Sequence, residues 1–493
     1  MQNPNGLKVD SVKKNFIYQS SYQLLSLILP LVTAPYISRV LGTTGTGVYS
    51  YASSVLYYFT MVANLGISNY GNREIAANID DKSKLSKTFC GIFCCHAILS
   101  LICTIVYYFY IAFLVKEYKD AFLWQSFQMF ATLFDITWFF SGIQIFKITV
   151  RRNFVIRILT VVSIFALIKT REDTWKYLAI LAIGNLIGQL AVWTQLKKYV
   201  VFVRIEKKDV LIHIKPMFIL FIPVIAMSIY RYMDKIMIPH FSNISELGLY
   251  ENAEKIISLP LSLITTVGVV LLPKMSTIAS QGDTKERNRY FNTAMKFSLI
   301  LALGLAGGLI GIAEVFAPQF FGDEFKKCGE LITLLAVTVL FLTWSNSIRS
   351  QYLIPNKKDK AFIVAAFSGA AVNFFLNIFL ISLFGAKGAA YATIGAELIV
   401  AVIHTIYSYK ELPFGEIIKQ SWIFAIPALA MSFIVRCMGQ LYNESYIILF
   451  IQIVTGAVFY LGIVLLILVI QKDEIILPIL KKKFIKNNNI EIN

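Results

Sequence analysis

The sequence predicts an all-α polytopic membrane protein of about fourteen spanning helices: two parallel six-helix bundles around a central cavity, followed by two C-terminal helices. Three observations carry that prediction. The first is composition: 57% of the 493 residues are hydrophobic, 15% are charged, and the mean hydropathy is +0.66. Soluble domains carry about 25% charged residues, so this chain has too few to clothe a water-facing surface. The second is the recurrence, from Phe16 to Ile470, of apolar runs long enough to cross a bilayer. Hydrocarbon offers no hydrogen bonds, and a helix satisfies its backbone within one segment. The third is an internal repeat, in which Gly47-Val-Tyr-Ser-Tyr-Ala52 returns as Gly248-Leu-Tyr-Glu-Asn-Ala253, 201 residues on.

The first apolar segment follows a polar start carrying Lys8, Lys13 and Lys14. It is longer than the apolar core of a signal peptide and lacks a small-residue cleavage site, so it reads as an uncleaved first helix. The spans run 15–38, 47–69, 88–115, 121–146, 153–169, 175–197, 213–238, 246–272, 292–318, 329–354, 361–384, 387–409, 418–438 and 445–470. An even number places both termini on one side. The N-terminus, the loops around 70–87, 147–157, 197–215, 274–296, 349–360 and 410–419, and the tail hold most of the 46 Lys and Arg. Positive residues favour the cytoplasm, so both ends are expected there. The domains follow as an N-terminal six-helix lobe (1–200), a C-terminal six-helix lobe (201–410), two additional spans (411–471) and a basic cytoplasmic tail (472–493).

The +17 net charge admits either nucleic acid or an anionic membrane surface as partner. Its concentration in one set of loops and in Lys481-Lys-Lys-Phe-Ile-Lys fits membrane lipids, and nucleic acid is not expected. The longest connection, near 197–215, is basic and reads as a surface helix along the membrane. No connection is long enough for a folded extramembrane domain, and no GxxxxGK[ST] phosphate loop is present, so ATP-driven transport needs a separate subunit. An enzyme is not expected, nor is a bound cofactor. Cys90, Cys94, Cys95 and Cys103 cluster with His96 in the third span; a metal site is open there, beside the simpler reading of small packing residues.

The repeat continues past its opening motif. Gln144-Ile-Phe-Lys ends the fourth span and Gln351-Tyr-Leu-Ile the tenth, so spans 1–6 and 7–12 read as two halves. Six helices return the chain to its starting side, which gives both halves one orientation, as in transporters that rock two bundles around a cavity. Pro30 and Pro35 in the first helix, and Pro223 and Pro239 in the seventh, suggest interrupted helices at matching positions.

Charges inside the spans mark the candidate site, since one at mid-bilayer costs on the order of 2.5–3.5 kcal/mol. In span 7, Arg231, Asp234 and Lys235 share a helix face, with Arg231 about 21 Å along the helix from Met217. Span 8 carries Glu251, Glu254 and Lys255, where Glu251 and Lys255 have the spacing of an internal salt bridge. Asp135 in span 4 and Glu397 in span 12 are single carboxylates without a local partner, candidates for proton or cation coupling. Arg39 ends span 1 at a tight Gly42–Gly47 turn, either snorkelling to headgroups or facing the cavity. Arg73 and Glu74 read as a solvated interfacial pair. Fixed guanidinium and ammonium groups suit an anionic substrate.

Several motifs resemble those of the Wzx-type polysaccharide flippases of the multidrug/oligosaccharidyl-lipid/polysaccharide exporter superfamily. They are Pro35-Tyr-Ile-Ser-Arg-Val-Leu-Gly42, Gly66-Ile-Ser-Asn-Tyr-Gly-Asn-Arg-Glu-Ile-Ala76, Met233-Asp-Lys-Ile-Met237, Tyr250-Glu-Asn-Ala-Glu-Lys-Ile256, Leu272-Pro-Lys-Met-Ser276, Gln351-Tyr-Leu-Ile-Pro355 and Gly385-Ala-Lys-Gly-Ala-Ala390. They keep the family's order through about residue 410. The resemblance implies translocation of a polyprenyl-diphosphate-linked oligosaccharide to the outer leaflet of a bacterial cytoplasmic membrane, by alternating access coupled to an H+ or Na+ gradient. Polysaccharide polymerase and other assembly proteins would act on the far side. Arg39, Arg231, Lys235 and Lys255 would hold the diphosphate or acidic sugars. Asp135, Asp234, Glu251, Glu254 and Glu397 would balance charge or carry the coupling ion. Arg231 departs from the small or polar residue expected before its motif, which leaves open whether it marks a more acidic substrate. Two rivals stay in view: a multidrug or cation exporter of the same superfamily, and a membrane glycan polymerase or ligase. The cationic face counts against the first, the short outward loops against the second.

Overall fold

The structure, a computed structural model, describes residues 12–441 and 445–471. Lys8 and the basic tail from 472 lie outside the described residues, as do the side chains of Lys13, Lys14 and Pro223. Among the described residues every regular element is helical. In order they are α1 (Val12–Asn64), α2 (Ile67–Ala77), α3 (Lys82–Phe113), α4 (Lys119–Gln125), α5 (Phe127–Leu133), α6 (Thr137–Gly142), α7 (Phe146–Leu167) and α8 (Thr174–Leu196). After them come α9 (Lys207–Phe241), α10 (Ile244–Gln281), α11 (Thr284–Phe321), α12 (Cys328–Ile348), α13 (Asp359–Phe384), α14 (Ala386–Ser408), α15 (Phe414–Leu441) and α16 (Tyr446–Ile470).

Among the described residues, nine helices are long and apolar enough to cross a membrane. Their surfaces are inverted relative to a soluble protein. Along α3, Ile98, Leu101, Ile102, Ile105 and Phe109 are exposed, and α16 exposes Ile447, Phe450, Val458 and Leu461. The buried side of α16 is a stripe at four-residue spacing, Gln452, Gly456, Tyr460, Val464 and Leu468. Such outward apolar faces need lipid. The chain is an all-α polytopic membrane protein.

By its internal contacts the chain forms two compact units. One holds the residues up to Asn252 together with Asn373–Ala389; the other holds Ala253–Val372 and the chain from Ala390. In the first, α2 packs on α6 because Gly71 leaves room for the Trp138 ring and Gly142 for Ile75. Its loop between α7 and α8 is pinned by Asp173. A hydrogen bond from the Lys176 ammonium, and the backbone N–H groups of Lys169 and Thr170, hold that carboxyl well below the usual carboxylate range. In the second unit, α15 lies on α11 at Gly307 and Gly311. Ser432 Oγ there donates to the Gly307 carbonyl at 2.7 Å, and Tyr460 OH of α16 donates to the Ile300 carbonyl at 2.8 Å.

Four expectations need correction. α1 stays helical through Pro30 and Pro35 and breaks at Gly42, the one position inside it with non-helical geometry (φ 68°). Only glycine adopts that backbone without strain. The glycine-rich stretch is therefore no extended turn: Gly45 and Gly47 lie within the helix that follows. The fourth span, expected as one helix over 121–146, is instead α4, α5 and α6. The basic segment near 197–215 forms no separate surface helix; 201–206 is irregular and α9 starts at Lys207, capped by Glu206 and Asp209.

The break in the fourth span is held by side chains. Asp135 Oδ1 accepts from the Thr137 N–H at 2.8 Å and the Thr137 hydroxyl at 2.6 Å, which draws this backbone out of the helical ladder. The freed carbonyls find other donors. His96 Nε2 bonds the Thr132 carbonyl at 2.8 Å, Trp193 Nε1 the Phe134 carbonyl at 2.8 Å and Trp138 Nε1 the Asp135 carbonyl at 3.1 Å. Irregular backbone at membrane depth needs such partners.

Candidate functional site

The site is built on the two copies of the repeat, which cross each other inside the first unit. A methyl group on Gly47 would overlap the Ile244 carbonyl oxygen and stand 3.2 Å from the Gly248 nitrogen. A methyl group on Gly248 would overlap the Thr43 carbonyl oxygen and stand 3.1 Å from the Gly47 nitrogen. The contacts are reciprocal, as across a two-fold axis: each glycine meets the residue four positions before the other. The same offset of 201 joins Thr44 Oγ1 to Ser245 Oγ at 3.0 Å and Ser50 Oγ to Glu251 Oε2 at 2.7 Å. Even the chain breaks correspond, at Gly42 before one copy and at Ser242–Asn243 before the other.

One helical turn beyond the crossing, α9 and α10 bring the charges together. Lys235 Nζ lies 2.7 Å from Glu251 Oε2, and each side chain retains only about a tenth of its exposure (11% and 10%). Asp234 is buried beside it, its carboxylate accepting from Tyr250 OH at 2.8 Å and from Asn377 Nδ2 at 2.6 Å. Asn377 bonds on to Asn373 Oδ1 at 3.0 Å, so two amides of α13 support the aspartate. Tyr232 stacks on Tyr57 with centroids 3.9 Å apart, the Lys235 ammonium 5.7 Å and the Arg231 guanidinium 5.9 Å from its ring. Such contacts over an aromatic face favour the cations.

These groups open onto a cavity of about 350 Å³ lined by Tyr49, Ser53, Tyr57, Gln125, Gln128 and Asn185, with Tyr232, Lys235 and Glu251 at one side. Gln125 of α4 and Gln128 of α5, three residues apart, both face it. Gln125 Nε2 donates to Ser53 Oγ at 2.9 Å, and Asn185 Nδ2 donates to Gln128 Oε1 at 2.9 Å. Hydroxyls, amides and flat rings around a closed ion pair form a wall suited to a polar, hydroxyl-rich ligand.

The sequence-predicted residues separate accordingly. Lys235 and Glu251 meet at the cavity, Asp234 is buried against Tyr250 and Asn377, and Arg231 lies exposed one turn back along α9. Asp135, expected to lack a local partner, is engaged by Thr137 as described above. Arg39 is exposed just before the Gly42 break. Glu254, Lys255 and Glu397 belong to the second unit; Glu397 is 3% exposed and makes no hydrogen bond or ion pair among the described residues. Arg73 and Glu74 form an exposed pair at 3.3 Å on α2. Both ring nitrogens of His96 face backbone carbonyls, those of Ala63 and Thr132, so the ring serves packing and the helix break. Reading charges alone passes over Ser50, Gln125, Gln128, Asn185 and Asn377. Ser50 is legible as the repeat mate of Glu251; the amides carry no local signal.

Comparison with known proteins decides the family. The profile of the family described as polysaccharide biosynthesis protein matches residues 12–279, more than half of the chain and all of the crossing. The chain belongs to that family. Among its relatives is a Shigella dysenteriae protein provisionally named an O-antigen transporter, 20% identical over 395 residues that cover 79% of this chain and 98% of that one. The lipid II flippase MurJ of Bacillus subtilis is 30% identical over 171 residues, 32% of this chain and 31% of that one. A solved structure of lipid II flippase MurJ in an inward closed conformation shares the fold, with a TM-score of 0.73 at 18% identity, covering 92% of this chain and 99% of that one. An inward-facing multidrug resistance MATE transporter is more distant, with a TM-score of 0.57 at 10% identity over 80% of this chain and 98% of that one. This member of the polysaccharide biosynthesis protein family thus has the fold of a membrane transporter.

Proposed function

We propose that the chain is a flippase for a polyprenyl-diphosphate-linked oligosaccharide, moving it from the cytoplasmic to the outer leaflet of a bacterial cytoplasmic membrane. The observation that carries this reading is the cavity wall: amides, hydroxyls and stacked tyrosines beside a buried Lys235–Glu251 pair. Sugars offer hydroxyls to such amides and carbon–hydrogen faces to such rings. A diphosphate offers Lys235 an alternative to Glu251, and the names of the relatives point the same way. In this account the arriving anion takes Lys235 from Glu251, with Arg231 and Arg39 as further cations. Asp234 and Glu251 balance the charge that is left. Taking one partner from a buried pair is costly, so the occupied and empty cavities differ in which arrangement is stable, as alternating access requires. Glu397, buried with no hydrogen bond or ion pair among the described residues, is the carboxylate proposed to carry an H+ or Na+. Asp135 positions the fourth span. No covalent step is needed, both termini are cytoplasmic, and a polymerase receives the product outside.

The test is the fate of lipid-linked oligosaccharide in a deletion strain. Its accumulation on the inner leaflet with loss of surface glycan is the expected result. Normal outward passage combined with new drug sensitivity would replace this reading with that of an exporter, which the MATE fold also accommodates.

A further inference from the structure

The second unit contains two arginines, one buried and one half-buried, that are treated very differently. Arg287 of α11 is neutralised: its Nη1 lies 3.3 Å from Glu411 Oε2, and its Nη2 donates to the Glu411 carbonyl at 2.7 Å. Lys358 shares the same carboxylate at 2.7 Å. Arg349, at the end of α12, has no carboxylate within ion-pair distance among the described residues. Its partners are a long hydrogen bond from Nη2 to Asn346 Oδ1 at 3.4 Å and the face of Phe362, 5.2 Å from the guanidinium carbon. Its Nε is buried and bonds to nothing.

The surroundings share that deficit. Ser345 and Asn346 precede Arg349 by one turn and so lie on its face. Ser345 Oγ is buried with no partner. His404 of α14 leans on the Ser345 carbonyl through Nδ1 at 3.2 Å and leaves Nε2 buried and unpaired, within electrostatic reach of the guanidinium. Glu397, two turns away on α14, pairs with none of them. Arg349 also opens a short π-helical turn, Arg349–Leu353, a local widening found often at functional positions. Gly268 of α10 makes room for Ser350 of the same turn, since a methyl group there would stand 2.6 Å from its Oγ.

A guanidinium Nε–H and a hydroxyl, both buried without a partner and with no acid facing them, lack one thing: an oxyanion. Leaving such donors buried and unmade costs more than satisfying them contributes. We propose that Arg349, with Ser345, forms a binding site for a phosphate or diphosphate oxyanion at the cytoplasmic end of the second unit. Arginine matches phosphate oxygens in a planar fork and stays charged when buried. The two sources of this chemistry are the diphosphate of a polyprenyl carrier and the headgroup of an anionic membrane lipid. The site does not depend on the transport reading, because the unmet donors are there whatever the chain carries.

The test is a binding measurement on the full chain in phosphatidylcholine nanodiscs, with farnesyl diphosphate as probe. Wild-type protein should bind it, and Arg349→Gln should weaken binding on the order of tenfold or more, with Arg349→Lys in between. Repeating the titration in nanodiscs that contain phosphatidylglycerol identifies the source. Displacement of the probe assigns the site to lipid headgroups, and undiminished binding assigns it to the diphosphate. Ser345→Ala, which keeps the charge, should weaken binding by a smaller factor and carries the test if Arg349→Gln fails to fold. Absence of probe binding in wild type, or equal binding by wild type and the folded variants, would overturn the proposal. A normal flipping rate in cells would not rescue it, so its failure is separable from that of the transport reading.

Discussion

The two copies of the repeat have kept one backbone and divided its chemistry. Gly47 and Gly248 make mirror contacts, and the tyrosines after them, Tyr49 and Tyr250, are retained. Where the first copy has Ser50, Ser53 and Ser54, the second has Glu251, Glu254 and Lys255. The glycines are constrained because two backbones touch there. The side chains one turn further on are free to differ, and only the second copy has become charged. A duplicated crossing thus supplies a rigid frame twice but a charged face once. The uncharged copy serves as the receptor for the charged one, as Ser50 does for Glu251.

Breaking the charged side should have the largest effect. Glu251→Gln leaves Lys235 buried beside a neutral amide and should cost about 3–5 kcal/mol of stability, seen as a lower melting temperature and reduced folded yield in detergent. Replacing both partners, Lys235→Met with Glu251→Met, should restore most of that stability while abolishing export of surface glycan. A double variant that stays folded and inactive separates the function of the pair from its contribution to the fold. Next come the glycines. Gly47→Ala and Gly248→Ala should each destabilise the protein by about 1–3 kcal/mol, overlap outweighing the helix propensity gained. Equal losses in thermal melting sharpen the symmetry; a loss confined to one copy breaks it. Ser50→Ala removes a single hydrogen bond to a carboxylate and should cost about 1.5–3 kcal/mol at most. Asp135→Asn, which keeps an acceptor for Thr137, should be close to neutral in both melting and export. Glu397→Gln should keep the fold but remove the dependence of flipping on an ion gradient in proteoliposomes.

Much of this was legible in the sequence, for physical reasons. Hydropathy finds spans because lipid demands apolar faces, and the G-x-Y-x-x-A echo found the crossing because backbone contact tolerates no side chain. The same glycine signal misled at Gly45 and Gly47, where a turn and a close approach call for the same residue. The fourth span was read as continuous because hydropathy does not register a Thr137 hydroxyl or tryptophan indoles bonding freed carbonyls. Those donors come from elsewhere in the chain, Trp193 and His96 among them. Asp234 was found as a charge, but its supports, Tyr250 and Asn377, lie 16 and 143 residues away and only the fold assembles them.

The most direct measurement of the central claim is flipping of lipid-linked oligosaccharide by purified protein in proteoliposomes, wild type against the Lys235→Met/Glu251→Met double variant. The account predicts flipping by the wild type and none by a folded double variant. Equal rates for the two, or no flipping by the wild type, would contradict it.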